Sequence, residues 1–142
     1  MATVRTLLAS ELAWANERYE EIHFLPSRSG EFVVAAAVDG VKAGLGRLVP
    51  VDETTAELGG IYVLPEFRGR RLAGAIVSYL VRHSPYRRLF CIPFAHLEGF
   101  YRGFGFQPVA GDTAVPAVVA AKLNWCAAEY PAAVRLLVRV AG

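Results

Sequence analysis

Several residue types are scarce in this 142-residue chain, and each scarcity excludes a class of protein. The two cysteines, Cys91 and Cys126, form no C-x-x-C pair, which argues against a disulfide scaffold and a zinc ribbon. No apolar run approaches the roughly 20 residues of a membrane span, and acidic residues interrupt the N-terminal segment where a signal peptide would be apolar. We therefore expect reduced thiols, no membrane association and a cytoplasmic protein.

Charge of one sign is also in short supply. Fifteen Lys and Arg residues against 13 Asp and Glu residues give a net charge of +2, too small to indicate nucleic-acid binding by itself. Hydrophobic residues make up 54% of the chain, which excludes a disordered protein. The length is typical of one domain with a real core, and no linker or repeat divides it, so we expect a single domain over residues 1–142.

The hydrophobic pattern predicts a mixed α/β fold. Asp39-Gly40 between two apolar runs indicates a β-hairpin, and Ser10 is the predicted N-cap of the first helix. The spacing predicts strands at 3–8, 31–38, 41–49, 55–64, 88–93, 104–110 and 134–140, and helices at 10–21, 72–84, 96–102 and 116–130. The predicted architecture is a largely antiparallel central sheet with helices on both faces.

The stretch from Gly59 to Gly74 carries the chemistry. Here a predicted strand runs into a turn rich in Arg and Gly, and the turn opens a helix. Unpaired amide N–H groups and the positive end of the helix dipole favour an anion at that point, and a phosphate fits best. No Walker or dinucleotide fingerprint is present. The alternative is a solvated basic helix start whose small residues serve packing.

Two motifs in this region resemble those of the GNAT-type N-acetyltransferases. Residues 63–73 resemble the acyl-CoA loop R/Q-x-x-G-x-G/A, with Arg68 and Ala73 at its ends and Arg71 in place of the middle glycine. Residues 100–106 resemble the FYxxxGF segment, although Phe94 stands where an Asn is often found. The resemblance covers about residues 31–109 and implies a GNAT-like fold with acetyl-CoA as co-substrate.

The resemblance also implies roles for individual residues. Tyr101 would be the general acid for the leaving thiolate, and Glu57 the base that takes a proton from the amine. Even spacing places Glu57 on the same strand face as Val63. The alternatives are a packing aromatic for Tyr101 and an ordinary exposed strand glutamate for Glu57. Main-chain groups of Ile61, Tyr62 and Val63 would hold the pantetheine arm of coenzyme A. Main-chain groups of the following turn would hold its pyrophosphate, at Arg68, Gly69, Arg70, Arg71, Leu72, Ala73 and Gly74.

The expected activity is transfer of an acetyl group from acetyl-CoA to a primary amine of a small molecule or peptide, by direct attack in a ternary complex. Two other hypotheses stay open: a non-catalytic acyl-CoA sensor, and a nucleic-acid binder using the arginines, which the low net charge disfavours. We expect no metal site, no nucleic-acid partner, and a monomer or homodimer. Acceptor specificity would come from residues 17–30 and 112–131, and Glu98, His96, Glu20 and Glu21 are lesser candidates for the base.

Overall fold

The computed structural model describes residues 2–141, which contain seven strands and four α-helices. The strands form a mixed, mostly antiparallel sheet, as predicted, and its strand order is 1-2-3-4-5-7-6 when the strands are numbered along the chain. Their bounds are β1 Ala2–Thr6, β2 Phe32–Val38, β3 Val41–Pro50, β4 Thr55–Val63, β5 Arg88–Cys91, β6 Gln107–Pro108 and β7 Leu137–Val140. The helices are α1 Leu12–Glu21, α2 Leu72–His83, α3 Glu98–Arg102 and α4 Ala117–Glu129.

The chain divides into two compact units, residues 2–48 with 60–84 and residues 49–59 with 85–141. In the first unit, β1 pairs with β2 and β2 with β3, all antiparallel. Asp39 and Gly40 join β2 to β3 with φ values of 49° and 81°. Positive φ at both central positions is typical of the type I′ turn, so the predicted hairpin is confirmed.

Helices cover both faces of the sheet in the first unit. On one face, Ala15 and Tyr19 of α1 pack with Val33 and Leu45 in a fully or nearly fully buried cluster. On the other face, Ile76 of α2 lies against the backbone of β3, where Gly44 and Gly46 replace larger side chains. A Cβ atom on Gly46 would lie 2.6 Å from Ile76 Cγ2. The glycines on β3 therefore let α2 approach the sheet closely.

In the second unit, β4 pairs with β5 in parallel, with Thr55 opposite Arg88. Strand β7 pairs antiparallel with both β5 and β6. Among residues 2–141, no helix has the length and apolar character that crossing a membrane requires.

Three predicted element boundaries are wrong. The predicted strand at 104–110 is reduced to Gln107–Pro108, because Phe104 and Phe106 both donate their N–H groups to the Tyr101 carbonyl and close a turn after α3. The predicted strand at 134–140 begins only at Leu137, preceded by an isolated bridge between Phe94 and Val134.

The N-cap prediction at Ser10 is the third. Ser10 lies inside a 3₁₀ turn, Ala9–Glu11, and makes no capping hydrogen bond. Instead, the Glu11 carboxylate accepts a hydrogen bond of 2.9 Å from the Leu8 N–H. A carboxylate next to the free amides of a helix start also interacts favourably with the helix dipole. Glu11 therefore caps this helix start in place of the predicted Ser10.

Candidate active site

The turn between β4 and α2 is held to the first unit by main-chain hydrogen bonds. Leu64 donates its N–H to the Ala43 carbonyl at 2.8 Å, and Phe67 donates to the Leu64 carbonyl at 2.9 Å. The Arg68 guanidinium reaches back to the Val63 carbonyl at 3.4 Å. The predicted pantetheine-binding residues Ile61, Tyr62 and Val63 form the half-buried end of β4 directly before this turn.

Two residues in the turn have left-handed backbone conformations. Gly69 has a φ of 82°, and open space surrounds the position that its Cβ would occupy. Its glycine is therefore required by backbone conformation rather than by crowding. Arg71 has φ 60° and ψ 27° and directly precedes the first residue of α2. This is the position of the middle glycine in the resembled motif, and the conformation explains why a glycine would suit it.

The turn presents a continuous row of unused backbone donors. No hydrogen bond formed within residues 2–141 uses the N–H groups of the six residues from Gly69 to Gly74, and Ala75 is the first to donate, to the Arg71 carbonyl. The side chains of Arg68, Arg70 and Arg71 are exposed around it. Six free amides at the positive end of a 12-residue helix, with three exposed guanidinium groups nearby in the chain, favour an anion, and we call this row of amides the cradle.

Tyr101 lies in the second unit, at the penultimate position of α3. Its side chain is 6% exposed and packs edge-on against Phe100 and Phe106, with ring centroids 5.0 and 6.1 Å away. Burial raises the pKa of the Tyr101 phenol above its ordinary value, and the neighbouring Cys91 adds to this rise. The hydroxyl forms no hydrogen bond within residues 2–141. The phenol is therefore held neutral, with its proton uncommitted.

Glu57 also lies in the second unit, and it is not the exposed strand glutamate of the alternative interpretation. It is 7% exposed, and its Oε1 accepts a hydrogen bond of 2.8 Å from Nζ of Lys122 on α4. Burial, and then the charge of Glu57, raise the pKa of the Cys91 thiol. Cys91 is thus within electrostatic reach of both Glu57 and Tyr101.

The prediction that Glu57 and Val63 share a strand face assumed regular alternation along β4, and the backbone departs from it. Gly60 has a φ of 62° within β4, so strict alternation does not run uninterrupted from Glu57 to Val63. At Gly60 the backbone of β4 lies close to a side chain of α1. A Cβ on Gly60 would lie 2.5 Å from the Tyr19 hydroxyl oxygen, and that hydroxyl donates to the Gly60 carbonyl at 2.8 Å.

Lys122 is the site residue that the sequence analysis missed. Val119, Lys122 and Cys126 follow one another at helical spacing, and both neighbours on that face are buried. A lysine on the buried face of an apolar helix predicts a carboxylate partner, because an unpaired buried charge is costly. That signal was present in the sequence.

Three of the four lesser candidates for a base contact other side chains, and the fourth, Glu20, is exposed. His96 stacks on Phe94 with ring centroids 6.1 Å apart. Glu98 contacts Arg102 at 3.3 Å and Arg135 at 3.8 Å. On α1, Glu21 pairs with Arg18 at 3.0 Å, and Glu20 is exposed. Within residues 2–141 no group of three or more His, Cys, Asp or Glu residues is arranged to hold a metal ion.

Comparison with known sequences agrees with the resemblance. The sequence model of the acetyltransferase (GNAT) family matches residues 1–106. The matched segment includes the cradle, Glu57 and Tyr101, and ends before α4. A comparison with curated proteins found no match.

Solved structures share the fold at low sequence identity. N-acetylglutamate synthase from Neisseria gonorrhoeae, complexed with coenzyme A and N-acetyl-glutamate, has a TM-score of 0.70 and 18% identity over 99% of this chain, which spans 35% of that chain. A GNAT family acetyltransferase from Elizabethkingia anophelis with acetyl-CoA bound has a TM-score of 0.68 and 16% identity, covering 99% of this chain and 98% of its own. The ribosomal-protein-S18-alanine N-acetyltransferase from Escherichia coli has a TM-score of 0.70 and 15% identity, covering 100% and 97%.

Proposed function

The chain belongs to the acetyltransferase (GNAT) family, and from that premise we propose that it transfers an acetyl group from acetyl-CoA to a primary amine. The observation that carries the proposal is the row of six free amides from Gly69 to Gly74, with the exposed residues Arg68, Arg70 and Arg71 in the same turn. Amides that point outward from a helix start bind phosphate oxygens without any rearrangement of the chain. The pyrophosphate of coenzyme A is the group that we assign to this cradle.

The proposed reaction is direct attack of the amine on the thioester carbonyl. A C–N bond forms, the C–S bond breaks, and the leaving group is the thiolate of coenzyme A. At neutral pH an amine of pKa 8 to 10.4 is mostly protonated, so a base must take its proton first. We assign that role to Glu57, the buried carboxylate of β4.

We assign the return of a proton to Tyr101. The thiolate of coenzyme A needs a proton as the C–S bond breaks, and a neutral phenol with an unbonded hydroxyl supplies one. Burial raises the pKa of Tyr101, so the phenol is neutral at pH 7 and still carries the proton that it shares with the sulfur as negative charge develops there. Main-chain groups of Ile61, Tyr62 and Val63 are the proposed partners of the pantetheine arm.

The acceptor class is proposed as an α-amine first and other primary amines second. Two proteins of this fold are named for an acetylated amino acid or residue, N-acetylglutamate synthase and the ribosomal-protein-S18-alanine N-acetyltransferase. These names are the support for placing α-amines first. A single domain over residues 1–142, a cytoplasmic location and a monomeric or homodimeric state stay predictions from the sequence.

A thiol-release assay tests the proposal. Acetyl-CoA is supplied with amino acids, peptides with free N-termini, polyamines or aminoglycosides, and free coenzyme A is measured. We expect release with at least one class, and acetyl-CoA binding by calorimetry. Binding without any release would indicate the acyl-CoA sensor instead, and no binding would refute the proposal.

A matched pair of variants locates the binding site. Arg70→Ala removes a charge at the N-terminal end of α2, and Arg82→Ala removes one in its last turn, about 18 Å away at 1.5 Å per residue. We expect Arg70→Ala to weaken acetyl-CoA binding about 3- to 10-fold, as for the loss of one charge-assisted contact. Arg82→Ala should leave the affinity unchanged, and equal effects would place the ligand elsewhere.

A further inference from the structure

The ion pair between Lys122 and Glu57 joins α4 to β4 inside the second unit. Lys122 Nζ lies 2.8 Å from Glu57 Oε1. The two side chains are 23% and 9% exposed, so the pair is largely withdrawn from water. Lys122 lies outside residues 1–106, the segment that the family model matches. The family comparison therefore gives Lys122 no role.

Stability alone is a weak reason for such a pair. Desolvating two charges costs about as much as their attraction returns, and well-packed apolar residues often do as well at the same place. The chain contains just two lysines, and one of them is committed to this carboxylate. The arrangement points to a requirement for the carboxylate itself.

The pair leaves the two carboxylate oxygens of Glu57 in different situations. Oε1 is occupied by Lys122, whereas Oε2 receives no hydrogen bond from residues 2–141. Oε2 lies 3.2 Å from the position that a Cβ on Gly59 would occupy. Since Gly59 has no side chain, the space beside Oε2 is kept clear. One oxygen is held by Lys122, and the other is left to accept a proton.

We propose that Lys122 is a positioning residue, which fixes the Glu57 carboxylate through Oε1 so that Oε2 takes the proton of the acceptor amine. This inference rests on the proposed function. The proton passes from the ammonium nitrogen of the acceptor to Oε2, and the amine then forms the C–N bond as the C–S bond to coenzyme A breaks. The leaving thiolate takes its proton from Tyr101, the second proton lost by the acylated nitrogen restores the phenol, and Lys122 keeps its own protons throughout. A carboxylate free to rotate would be misplaced by an ångström or more, which is enough to lower a rate about 100-fold.

Three single variants test the proposal, with the best acceptor from the thiol-release panel. Lys122→Met keeps most of the length of the side chain and removes the hydrogen-bond donor and the charge, whereas Lys122→Arg keeps both a donor and a charge. Lys42→Met is the matched control, since Lys42 pairs with Glu11 at 3.0 Å and is 29% exposed. We expect Lys122→Met to lower kcat about 10- to 100-fold, Lys122→Arg to recover most of it, and Lys42→Met to change nothing.

We expect Lys122→Met to leave the KM for acetyl-CoA within about twofold of the wild-type value, because in this proposal Lys122 acts through Glu57 and does not contact acetyl-CoA. A rise in KM with unchanged kcat would overturn the proposal and indicate a binding role. An equal loss of kcat in Lys122→Arg and Lys122→Met would overturn it as well.

A double-variant cycle separates positioning from a loss of folding. Lys122→Met alone leaves a buried unpaired carboxylate, whereas Glu57→Gln with Lys122→Met removes both charges. If Lys122 acts through Glu57, adding Lys122→Met to the Glu57→Gln protein costs no further activity. An undiminished loss in that background would refute the proposal. A wild-type protein that binds acetyl-CoA and releases no thiol would instead refute the proposed function, and Lys122 would have no base to position.

Discussion

Replacing Arg71 by glycine should make the protein more stable, although it removes a side chain from the proposed binding turn. Arg71 adopts φ 60° and ψ 27°, a left-handed conformation that places the Cβ of an L-residue close to its own carbonyl oxygen. No side-chain capping bond accompanies this position. The arginine thus carries a backbone cost that a glycine does not.

The expected size follows from two opposing contributions. A left-handed conformation costs a residue with a Cβ about 1–2 kcal/mol. Glycine loses more backbone freedom on folding, at a cost of about 0.5–1 kcal/mol. The net gain for Arg71→Gly is about 0.5–1 kcal/mol, which corresponds to a rise in Tm of about 2–4 °C for a chain of this size.

Thermal unfolding followed by circular dichroism measures this change, and Arg70→Gly is the matched control. Arg70 is next in the chain, carries the same charge, and does not have a left-handed φ. Arg70→Gly should therefore lower Tm, since it adds the entropic cost of glycine and removes the contact between the Arg70 guanidinium and the Phe67 ring, 5.8 Å away. A fall in Tm for Arg71→Gly equal to that for Arg70→Gly would refute the reasoning.

Three further predictions test other parts of the structure. Tyr101→Phe should lower kcat by about two orders of magnitude, as for other general acids, and leave acetyl-CoA affinity intact, whereas unchanged turnover in the thiol-release assay would remove Tyr101 from the mechanism. Gly60→Ala should destabilise the protein by at least about 2 kcal/mol in a denaturant titration, because its methyl group would lie 2.5 Å from the Tyr19 hydroxyl at a left-handed φ, and a neutral result would contradict the close approach. The pKa of Glu11 is held far below its usual range, chiefly by the Arg5 hydrogen bond, so its carboxylate stabilises the fold above an unfolded-state pKa of about 4.3 and loses that effect as pH falls towards the folded-state pKa. Glu11→Gln should therefore lower Tm at pH 7 and by progressively less below about pH 4, and a difference independent of pH would exclude this linkage.

The parts of the fold that local chemistry determines could be predicted from the sequence. Asp39-Gly40 indicates its hairpin because its turn needs two positive φ values that few residue pairs tolerate. The unpaired amides at the start of α2 were predictable for a similar reason, since the first turn of a helix has N–H groups without intrahelical partners. That these amides bind an anion stays a prediction. Neither feature depends on distant contacts.

The misplaced boundaries depend on competition between local partners. Residues 104–110 have the apolar character of a strand, yet the Tyr101 carbonyl captures the N–H groups of Phe104 and Phe106 and leaves a short β6. Serine is a favoured N-cap residue, yet in this structure the Leu8 N–H donates its hydrogen bond to the Glu11 carboxylate. Hydrophobic patterning carries no information about which partner captures a given N–H.

Long-range pairing limited the prediction of the site. Glu57 is recognisable by its place before the cradle, but its burial and its bond to Lys122 depend on how α4 packs, 65 residues later in the chain. The sequence placed Lys122 on an apolar helix without identifying its partner. A closer reading of that helix face would have predicted a buried carboxylate.

The most direct test of the central claim is a titration of the ¹⁵N-labelled protein with coenzyme A, observed in amide correlation spectra. We expect the six amide signals from Gly69 to Gly74 to shift together as the ligand saturates, and pantetheine, which lacks the pyrophosphate, to leave them unmoved. Saturation by coenzyme A with those six signals unmoved would contradict the assignment of this turn as the pyrophosphate cradle.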